Sequence, residues 1–442
     1  MNAVLPPEVF TDRRRQLMER VGEHGAALFF AAPEVTRSND SSYDFRQNSD
    51  LWYLTGFEEP EAALLVLPGH PKHPVVMFVR KRDRDREVWD GPRAGVEGVK
   101  ERFGAAEAFP IEEVDTKLPE LLEGRERVHY GLGLYPERDR QVVRALTRLR
   151  AMAKRGKRAP REIHDPSHLI HELRLFKKGP ELEMLRRAIA VSADGHVRAM
   201  QATRPGRGEW EVQAEIEYVF RRGGARSPGY TSIVGSGRNA CVLHYVANSC
   251  RMQDGELLLV DAGAEVGYYT GDITRTWPVS GRFSAPQREI YDLVLKAQLE
   301  VIALAKPGLP WSALHEKALR VLTEGMIGLG ILKGTVEKEL EEKSHAPWYP
   351  HSTGHWLGID VHDVGAYWSG VEQSRLLEPG MVFTVEPGLY FAPDAPNVPE
   401  RYAGIGVRIE DDVLVTATGH EVLSSGAPKD PAEIEALVGS AP

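Results

Sequence analysis

Two stretches of the chain share one pattern: DGELLLVDAG at 254–263 and PGMVFTVEPG at 379–388. Each holds a Gly, five mostly apolar residues, one acid, one spacer and a second Gly, which puts Asp261 and Glu386 at equivalent places. Such a run, bounded by turn residues, reads as a buried strand. Ending it in a carboxylate is costly unless the charge is paired or bound to a metal, and here the cost recurs. The flanking sequence repeats as well. Gly179 and Pro180 open a helix with Leu182, Leu185, Ala188 and Ile189 as its apolar stripe, and a second helix is expected from Glu209 to Arg222. Farther on, Ser284 as cap and Pro286 begin a helix ended by Pro307 and Gly308, and Pro310 opens another reaching about Gly328. The C-terminal part therefore reads as two similar halves.

More acids gather on this pair. After Asp261, Gly267 suggests a turn before a second strand carrying Asp272, Thr274 and Thr276 on one face, and a hairpin there brings Asp272 next to Asp261. On the strand expected at 406–415, GVRIEDDVLV, Arg408 and Glu410 share one face and Val407 and Ile409 take the other, so the polar face turns toward something functional or wet. Between them, HSTGHWLGIDVHD at 351–363 gathers His351, His355 and His362. Four carboxylates and an imidazole in one place repel strongly, because like charges within a few ångströms cannot all stay ionised. Two divalent cations neutralise the four acids. Oxygen-rich ligation with one nitrogen and no thiolate favours Mn²⁺ first, then Co²⁺ or Zn²⁺. Two such ions roughly 3.5–4 Å apart can share a bridging hydroxide as nucleophile and polarise a scissile carbonyl.

Upstream, GAALFFA (25–31), AALLVLPG (62–69), HPVVMFVR (73–80) and RVHYGLG (127–133) read as four buried strands with helices between them, an α/β domain. AKRGKRAPREIHDP, 153–166, is basic, holds two prolines and lacks periodic apolar positions, so the domain boundary is placed just after it, near residue 172. The alternating charges of KRDRDRE, 81–87, read as a solvated strand end or loop. The expected fold class is α/β (α+β) in two domains, 1–172 and 173–442. Two domains also suit a chain of 442 residues, 42% of them apolar.

With 55 basic and 64 acidic residues the formal charge is −9, which excludes the basic footprint of a nucleic-acid binder. The N-terminus, MNAVLPPEVFTDRRRQLMER, has no apolar h-region, and no stretch reaches the roughly 18 apolar residues of a membrane span. A cytoplasmic protein acting on small molecules or peptides, with no membrane partner, is expected. The two cysteines, Cys241 and Cys250, are too few to staple a chain of this length and suit a reducing compartment. His244 lies near Cys241 and raises a thiol-nucleophile alternative, but no orienting residue or oxyanion hole accompanies it.

These residues resemble aminopeptidase P, the Xaa-Pro aminopeptidases of the pita-bread metallopeptidases. Asp261, Asp272, His355, Glu386 and Glu410 fall in that family's ligand order, and HSTGHWLGIDVHD is similar to its proline-peptidase signature. YDFRQNSDLWYLTGFEEPEAALLVLPG (43–69) resembles its N-terminal domain, so the resemblance covers almost the whole chain. It implies an aminopeptidase P-type domain at 1–172 and a pita-bread catalytic domain at 173–442, with pseudo-twofold halves around a curved antiparallel sheet. It further implies that Asp272 and Glu410 bridge two metals, that Asp261 completes one shell, and that His355 and Glu386 complete the other. Glu386 would also take the proton of the bridging water. By the same resemblance His362 and His244 contact the substrate carbonyl and stabilise the tetrahedral intermediate. His351 lies beside the proline pocket, and Arg408 holds the ligands and the substrate's carboxyl side. Tyr230, Tyr390 and Trp89 resemble pocket residues, Trp89 reaching a neighbouring subunit's site in tetrameric members, so a homo-oligomer, dimer or tetramer, is implied.

The activity implied is removal of the N-terminal residue from peptides with proline in second position. The imide bond before proline lacks an N–H and has restricted geometry, so a pocket shaped for the ring can select it. Prolidase is the nearest alternative, with the same fold and ligands but Xaa-Pro dipeptides as its only substrates. Methionine aminopeptidase shares the metal set and usually lacks this N-terminal domain. Creatinase shares the two-domain plan without the metals, and a silent binding module would have lost ligands that are all present here.

Overall fold

The computed structural model describes residues 5–440, which divide into two units, Leu5–Leu173 and the chain from Arg174 onward. In the first, Gly25–Phe30 (β1), Ala63–Val66 (β2), Val75–Val79 (β3), Glu107–Pro110 (β4), Arg127–Tyr130 (β5) and Glu162–His164 (β6) form one sheet in the order β4-β3-β2-β1-β5-β6. β2 pairs antiparallel with both β1 and β3, and the other three pairings are parallel. The sheet residues Leu28, Phe30, Leu65, Phe78 and Val128 are closed over by Leu118, Leu122, Val142, Leu146 and Leu149, from helices Val114–Leu122 and Pro136–Ala151.

The four apolar runs are β1, β2, β3 and β5, but no helix separates β2 from β3, which follow each other as an antiparallel pair. β4 and β6 carry no continuous apolar run because they lie at the sheet edges, where one side of the ladder faces away from the core. β6 falls inside the basic stretch 153–166, so three residues of that stretch belong to the sheet. KRDRDRE leads into a helix, Arg84–Asp90, and not into the strand end or loop expected: the Asp83 carboxylate accepts from the N–H groups of Asp85 and Arg86 and so caps it.

The second unit contains Ile233–Ser236 (β7), Leu257–Asp261 (β8), Thr274–Pro278 (β9), Val382–Val385 (β10), Gly388–Phe391 (β11), Ile405–Arg408 (β12), Asp411–Val415 (β13) and His420–Val422 (β14). Two halves repeat one plan. In the first, helices Pro180–Ala202 and Glu209–Arg222 pack together, and β8 pairs antiparallel with β7 and β9. In the second, helices Ala285–Leu304 and Ser312–Gly328 pack together, and β13 pairs antiparallel with β10 and β14. Helix starts follow local chemistry, with Pro180 at a first-turn position and the Ser284 N–H donating to Gln287 Oε1 at 2.9 Å.

Two details differ from the expectation. GVRIEDDVLV is two strands, broken at Ile409 and Glu410, because β12 pairs with β11 while β13 pairs with β10. Asp272 stands two residues ahead of β9, since a small hairpin, Ala264–Val266 with Tyr269–Thr270, is inserted after β8. Its turn is made by Gly267 and Tyr268 at φ 55° and 70°, the sign such a tight hairpin requires. Arg408 and Glu410 are 4% and 2% exposed, so of the two readings of their shared face, functional or wet, the wet one does not hold.

Hydrogen bonds stitch the halves together. The Glu410 N–H donates to the Thr274 carbonyl at 3.0 Å, and Thr276 Oγ1 donates to the Arg408 carbonyl at 3.0 Å while accepting from its N–H at 3.2 Å. The chain's return toward Asp272 also needs a bare Cα at Gly263, where a Cβ would stand 1.7 Å from the Gly271 carbonyl oxygen. Gly263→Ala therefore forces the backbone apart, and urea unfolding should show a loss of roughly 1–3 kcal/mol.

Candidate active site

The strand-end acids meet in one cavity of about 920 Å³, which Asp261, Asp272, His355, Glu386 and Glu410 all line. Pairing register puts them there. Asp261 ends β8 opposite Thr274, with Asp272 two residues before that partner; Glu386 follows Val385 of β10, which lies opposite Asp411, with Glu410 one residue before it. Each half thus delivers two carboxylates from the end of one antiparallel pair.

His355 arrives on the loop 351–363, laid against β10. Its N–H donates to Thr384 Oγ1 at 3.1 Å, and its carbonyl accepts from the Thr384 N–H at 2.9 Å. Gly354 permits this approach, because a Cβ there would lie 1.9 Å from the Thr384 carbonyl oxygen. His355 Nδ1 faces the Trp356 carbonyl at 3.1 Å, which directs Nε2 into the cluster, 3.3 Å from Asp272 Oδ2 and 3.5 Å from Glu386 Oε1. The far end of the loop is clamped by Asp363, which accepts from Arg174 at 2.6 Å and Lys177 at 2.8 Å. Burial alone would raise the Asp363 carboxyl, but those two cations hold it below its usual range.

The cluster is under-compensated. Burial pushes the Glu410 carboxyl well above the ordinary range, and repulsion from Asp272, Glu386 and Asp261 pushes it further. Burial likewise raises Asp272, and lifts Glu386 to about 7. Burial would lower His355, but Asp272 and Glu386 outweigh it and raise the imidazole to about 9. Arg408 donates to Asp261 Oδ2 at 2.5 Å, to the Tyr390 hydroxyl at 3.0 Å and to Thr274 Oγ1 at 3.1 Å, and its single charge offsets one acid of four. The Tyr230 hydroxyl lies 2.6 Å from Asp261 Oδ1 and 2.5 Å from Asp272 Oδ1, yet it has one proton to give. Ligand atoms of Asp272, His355 and Glu410 lie within 4.8 Å of one another. A buried set of carboxylate oxygens with one imidazole, still short of positive charge, fits divalent ions.

Of the other expected residues, Tyr230, His244, His351, His362 and Arg408 line the same cavity. His351 Nε2 is 2.8 Å from the Tyr390 hydroxyl and Nδ1 is 2.8 Å from the Ser352 carbonyl; burial, with Arg408 nearby, pushes this imidazole down to about 3, so it is neutral. The His362 ring stands 4.4 Å from that of His355, nearly perpendicular, and His244 lines the cavity with it. Tyr390 is buried, bonded to both His351 and Arg408. Trp89 belongs to the other unit, on helix Arg84–Asp90, 84% exposed. Cys241 is a free thiol that burial pushes up to about 12, the opposite of an activated nucleophile, and Cys250 is free as well.

Several contributors lie outside the set of site residues read from the sequence. Thr274 Oγ1 donates to Glu410 Oε2 at 2.6 Å, and the Asp272 N–H donates to Asp412 Oδ2 at 3.1 Å. Thr274 shares a period-two face with Thr276, a usable signal, and Asp412 completes an unbroken acidic run. Trp311 and Tyr367 line the cavity, backed by the buried Trp356 stacked on Tyr367 at 5.3 Å, an aromatic group which no local pattern announces.

Two outcomes follow from this electrostatics. Asp363→Ala leaves the buried Lys177 without its carboxylate and Arg174 with Asp360, and should cost about 3–5 kcal/mol in urea unfolding. Adding Mn²⁺ to chelator-treated protein at about 100 times its Kd should raise the unfolding free energy by roughly 3 kcal/mol; an unchanged unfolding midpoint would show that no ion binds.

Comparison with known proteins gives the same assignment. The profile described as Metallopeptidase family M24 matches residues 183–417, and that described as Aminopeptidase P, N-terminal domain matches residues 10–130. The chain is 48% identical to the Xaa-Pro aminopeptidase of Escherichia coli (strain K12), with 97% of each chain aligned. It is 35% identical to Xaa-Pro aminopeptidase 3 of Homo sapiens, over 97% of this chain and 85% of that protein. Among solved structures, Pseudomonas aeruginosa aminopeptidase PepP matches with a TM-score of 0.97 at 47% identity, covering 99% of both chains. A substrate complex of an Escherichia coli aminopeptidase P variant matches with a TM-score of 0.95 at 47% identity, covering 98% of both. Likeness of this degree, running through both units from end to end, is common descent and not a shared architecture alone: the chain belongs to metallopeptidase family M24, as an aminopeptidase P.

Proposed function

We propose that the protein is an Xaa-Pro aminopeptidase that releases the N-terminal residue from peptides with proline in second position. The observation that carries this reading is the convergence of four strand-end carboxylates and one imidazole in a single large cavity, in a chain nearly half identical over its length to a protein named for that activity. We assign Asp261, Asp272, His355, Glu386 and Glu410 as the residues that would hold two divalent ions, and Mn²⁺ as the native ion on ligand hardness. Ions bound there supply Lewis acidity toward the scissile carbonyl and bring the pKa of an attacking water near neutrality.

The side chains do the rest. Glu386, whose Oε2 lies 3.8 Å from His351 Nδ1, takes the water's proton and returns it to the leaving proline nitrogen. His244 and His362 donate ring N–H groups to the carbonyl oxygen as it gains charge. Arg408 holds Asp261 in register and keeps its charge on the substrate's carboxyl side. His351, paired with Tyr390, borders the proline ring. Residues 173–442 form the catalytic domain and 1–172 the accompanying one. Two free cysteines suit a cytoplasmic location, and the exposed Trp89 suits a homo-oligomer, dimer or tetramer, in which it reaches a neighbouring subunit's site.

Purified protein with Mn²⁺ should release the first residue of an Xaa-Pro-Xaa tripeptide, and chelation should abolish that release. Cleavage of an Xaa-Pro dipeptide alone would make the enzyme a prolidase, and no release from either substrate with metal present would end the hydrolase reading. Glu386→Gln should lower kcat by about 10²–10⁴-fold.

A further inference from the structure

His244 sits on a stretch that no strand ladder supports. The chain leaves β7 at Ser236, makes a short turn of helix at Gly237–Cys241, and from 242 to 250 belongs to no helix or strand. His244 is exposed there between Val242 and Val246, which are about half exposed. Leu243 and Tyr245 rest on a small apolar cluster of Ile233, Ala240, Leu259 and Tyr390, and contacts of that kind hold a segment without fixing its direction. The direction comes from Glu209, the first residue of the helix Glu209–Arg222, whose side chain is fully buried. Its Oε1 accepts from the Ser236 N–H at 2.8 Å, the Ser236 hydroxyl at 2.8 Å and Asn239 Nδ2 at 3.0 Å, all ahead of His244. Its Oε2 accepts from the Tyr245 hydroxyl at 2.9 Å and the Cys250 N–H at 2.8 Å, both after His244. The Glu209 N–H in turn donates to the Cys250 carbonyl at 2.9 Å. Asn248 is a second anchor, accepting from the Val234 N–H at 2.9 Å and donating to the Ser232 carbonyl at 2.8 Å, but it holds the stretch on one side of His244 alone.

We infer that Glu209 is a positioning residue for the hydrolysis: its carboxylate closes the stretch 236–250 into a fixed loop and so aims His244 at the carbonyl oxygen. It acts through Tyr245, the residue next to His244, and is not itself among the residues lining the cavity. The inference rests on the role proposed above for His244. A carboxylate is needed because both of its oxygens accept. Glutamine has one acceptor oxygen, so whichever way its amide is turned the NH₂ group meets a backbone N–H, that of Ser236 or that of Cys250. One end of the loop is then released. A donor misplaced by about an ångström can cost roughly 10²-fold in rate, and a donor aimed at a developing charge loses its effect on kcat rather than on substrate binding.

The test is a double-mutant cycle on the Mn²⁺-loaded protein with an Xaa-Pro-Xaa tripeptide. Glu209→Gln should lower kcat by about 10²-fold, with KM and the Mn²⁺ bound per chain as in wild type. His244→Ala should lower kcat by about 10²–10³-fold. Adding Glu209→Gln to it should lower kcat no further, because residues that act as one unit are not additive. Tyr245→Phe removes one hydroxyl from a half-buried side chain, so it folds even if Glu209→Gln does not; it should lower kcat less, and not at all once His244 is alanine. Losses that multiply in the double variants would overturn the inference, as would wild-type kcat in either folded single variant. A His244→Ala enzyme as fast as wild type would strike the role of His244, and this inference with it, while leaving the hydrolase reading in place. No hydrolysis by wild type would strike the hydrolase reading itself.

Discussion

Burying four carboxylates in one cluster is the constraint to which the surrounding structure answers. Each ion taken out of water costs several kcal/mol unless charge or hydrogen bonds are returned to it. Arg408 returns one charge, through Asp261. Hydroxyls of Thr274 and Tyr230 return hydrogen bonds to Glu410, Asp261 and Asp272. The run Glu410, Asp411, Asp412 shows how finely the offset is placed. Asp411 points away from the site, where Arg275 at 2.7 Å, Gln298 at 2.6 Å, Ser424 at 2.7 Å and Lys429 surround it. Burial would raise its carboxyl, and the two cations hold it far below the ordinary range. Asp412 points back toward Asp272, and burial with that facing charge pushes it well up. Neighbours on one strand are thus shifted in opposite directions because pleating sends them to opposite faces.

Duplication solves the placement problem cheaply. One antiparallel pair can bring two acids together only where one strand ends and its partner begins, since farther along the ladder both faces are needed for the core. Two such pairs, joined by the bonds from Thr274 and Thr276 to the segment at Arg408 and Glu410, bring four. Sites carried on strands are held more tightly than sites carried on loops. Asp261 ends β8, and Asp272, Glu386 and Glu410 lie within two residues of a strand end, while His355 rests on a longer loop that is tied at both Thr384 and Asp363.

What could be read in advance follows from which signals are local. The acids after LLLV and VFTV stood out because a carboxylate closing an apolar run breaks a pattern, and the break is visible within ten residues. The strands β1, β2, β3 and β5 were legible for the same reason. Edge strands β4 and β6 have no apolar run to betray them. Glu410 lies at a strand break that exists only because β12 and β13 find different partners, which no residue of the segment states. The clamp on Asp363 joins residues nearly two hundred positions apart.

Buried ion pairs are poor evidence for stability, because well-packed apolar residues of the same volume are often as stable or more so. Their distribution here argues for a different role. Asp363, paired with Arg174 and Lys177, immediately follows His362. Asp411, paired with Arg275, immediately follows Glu410. Arg408 touches Asp261 and Tyr390 together. Each pair has hydrogen bonds of fixed direction beside a side chain whose atoms must be aimed, where an apolar contact would allow sliding. The desolvation cost is thus incurred next to the groups whose positions matter most, as expected if these pairs are kept for geometry and not for their net contribution to folding.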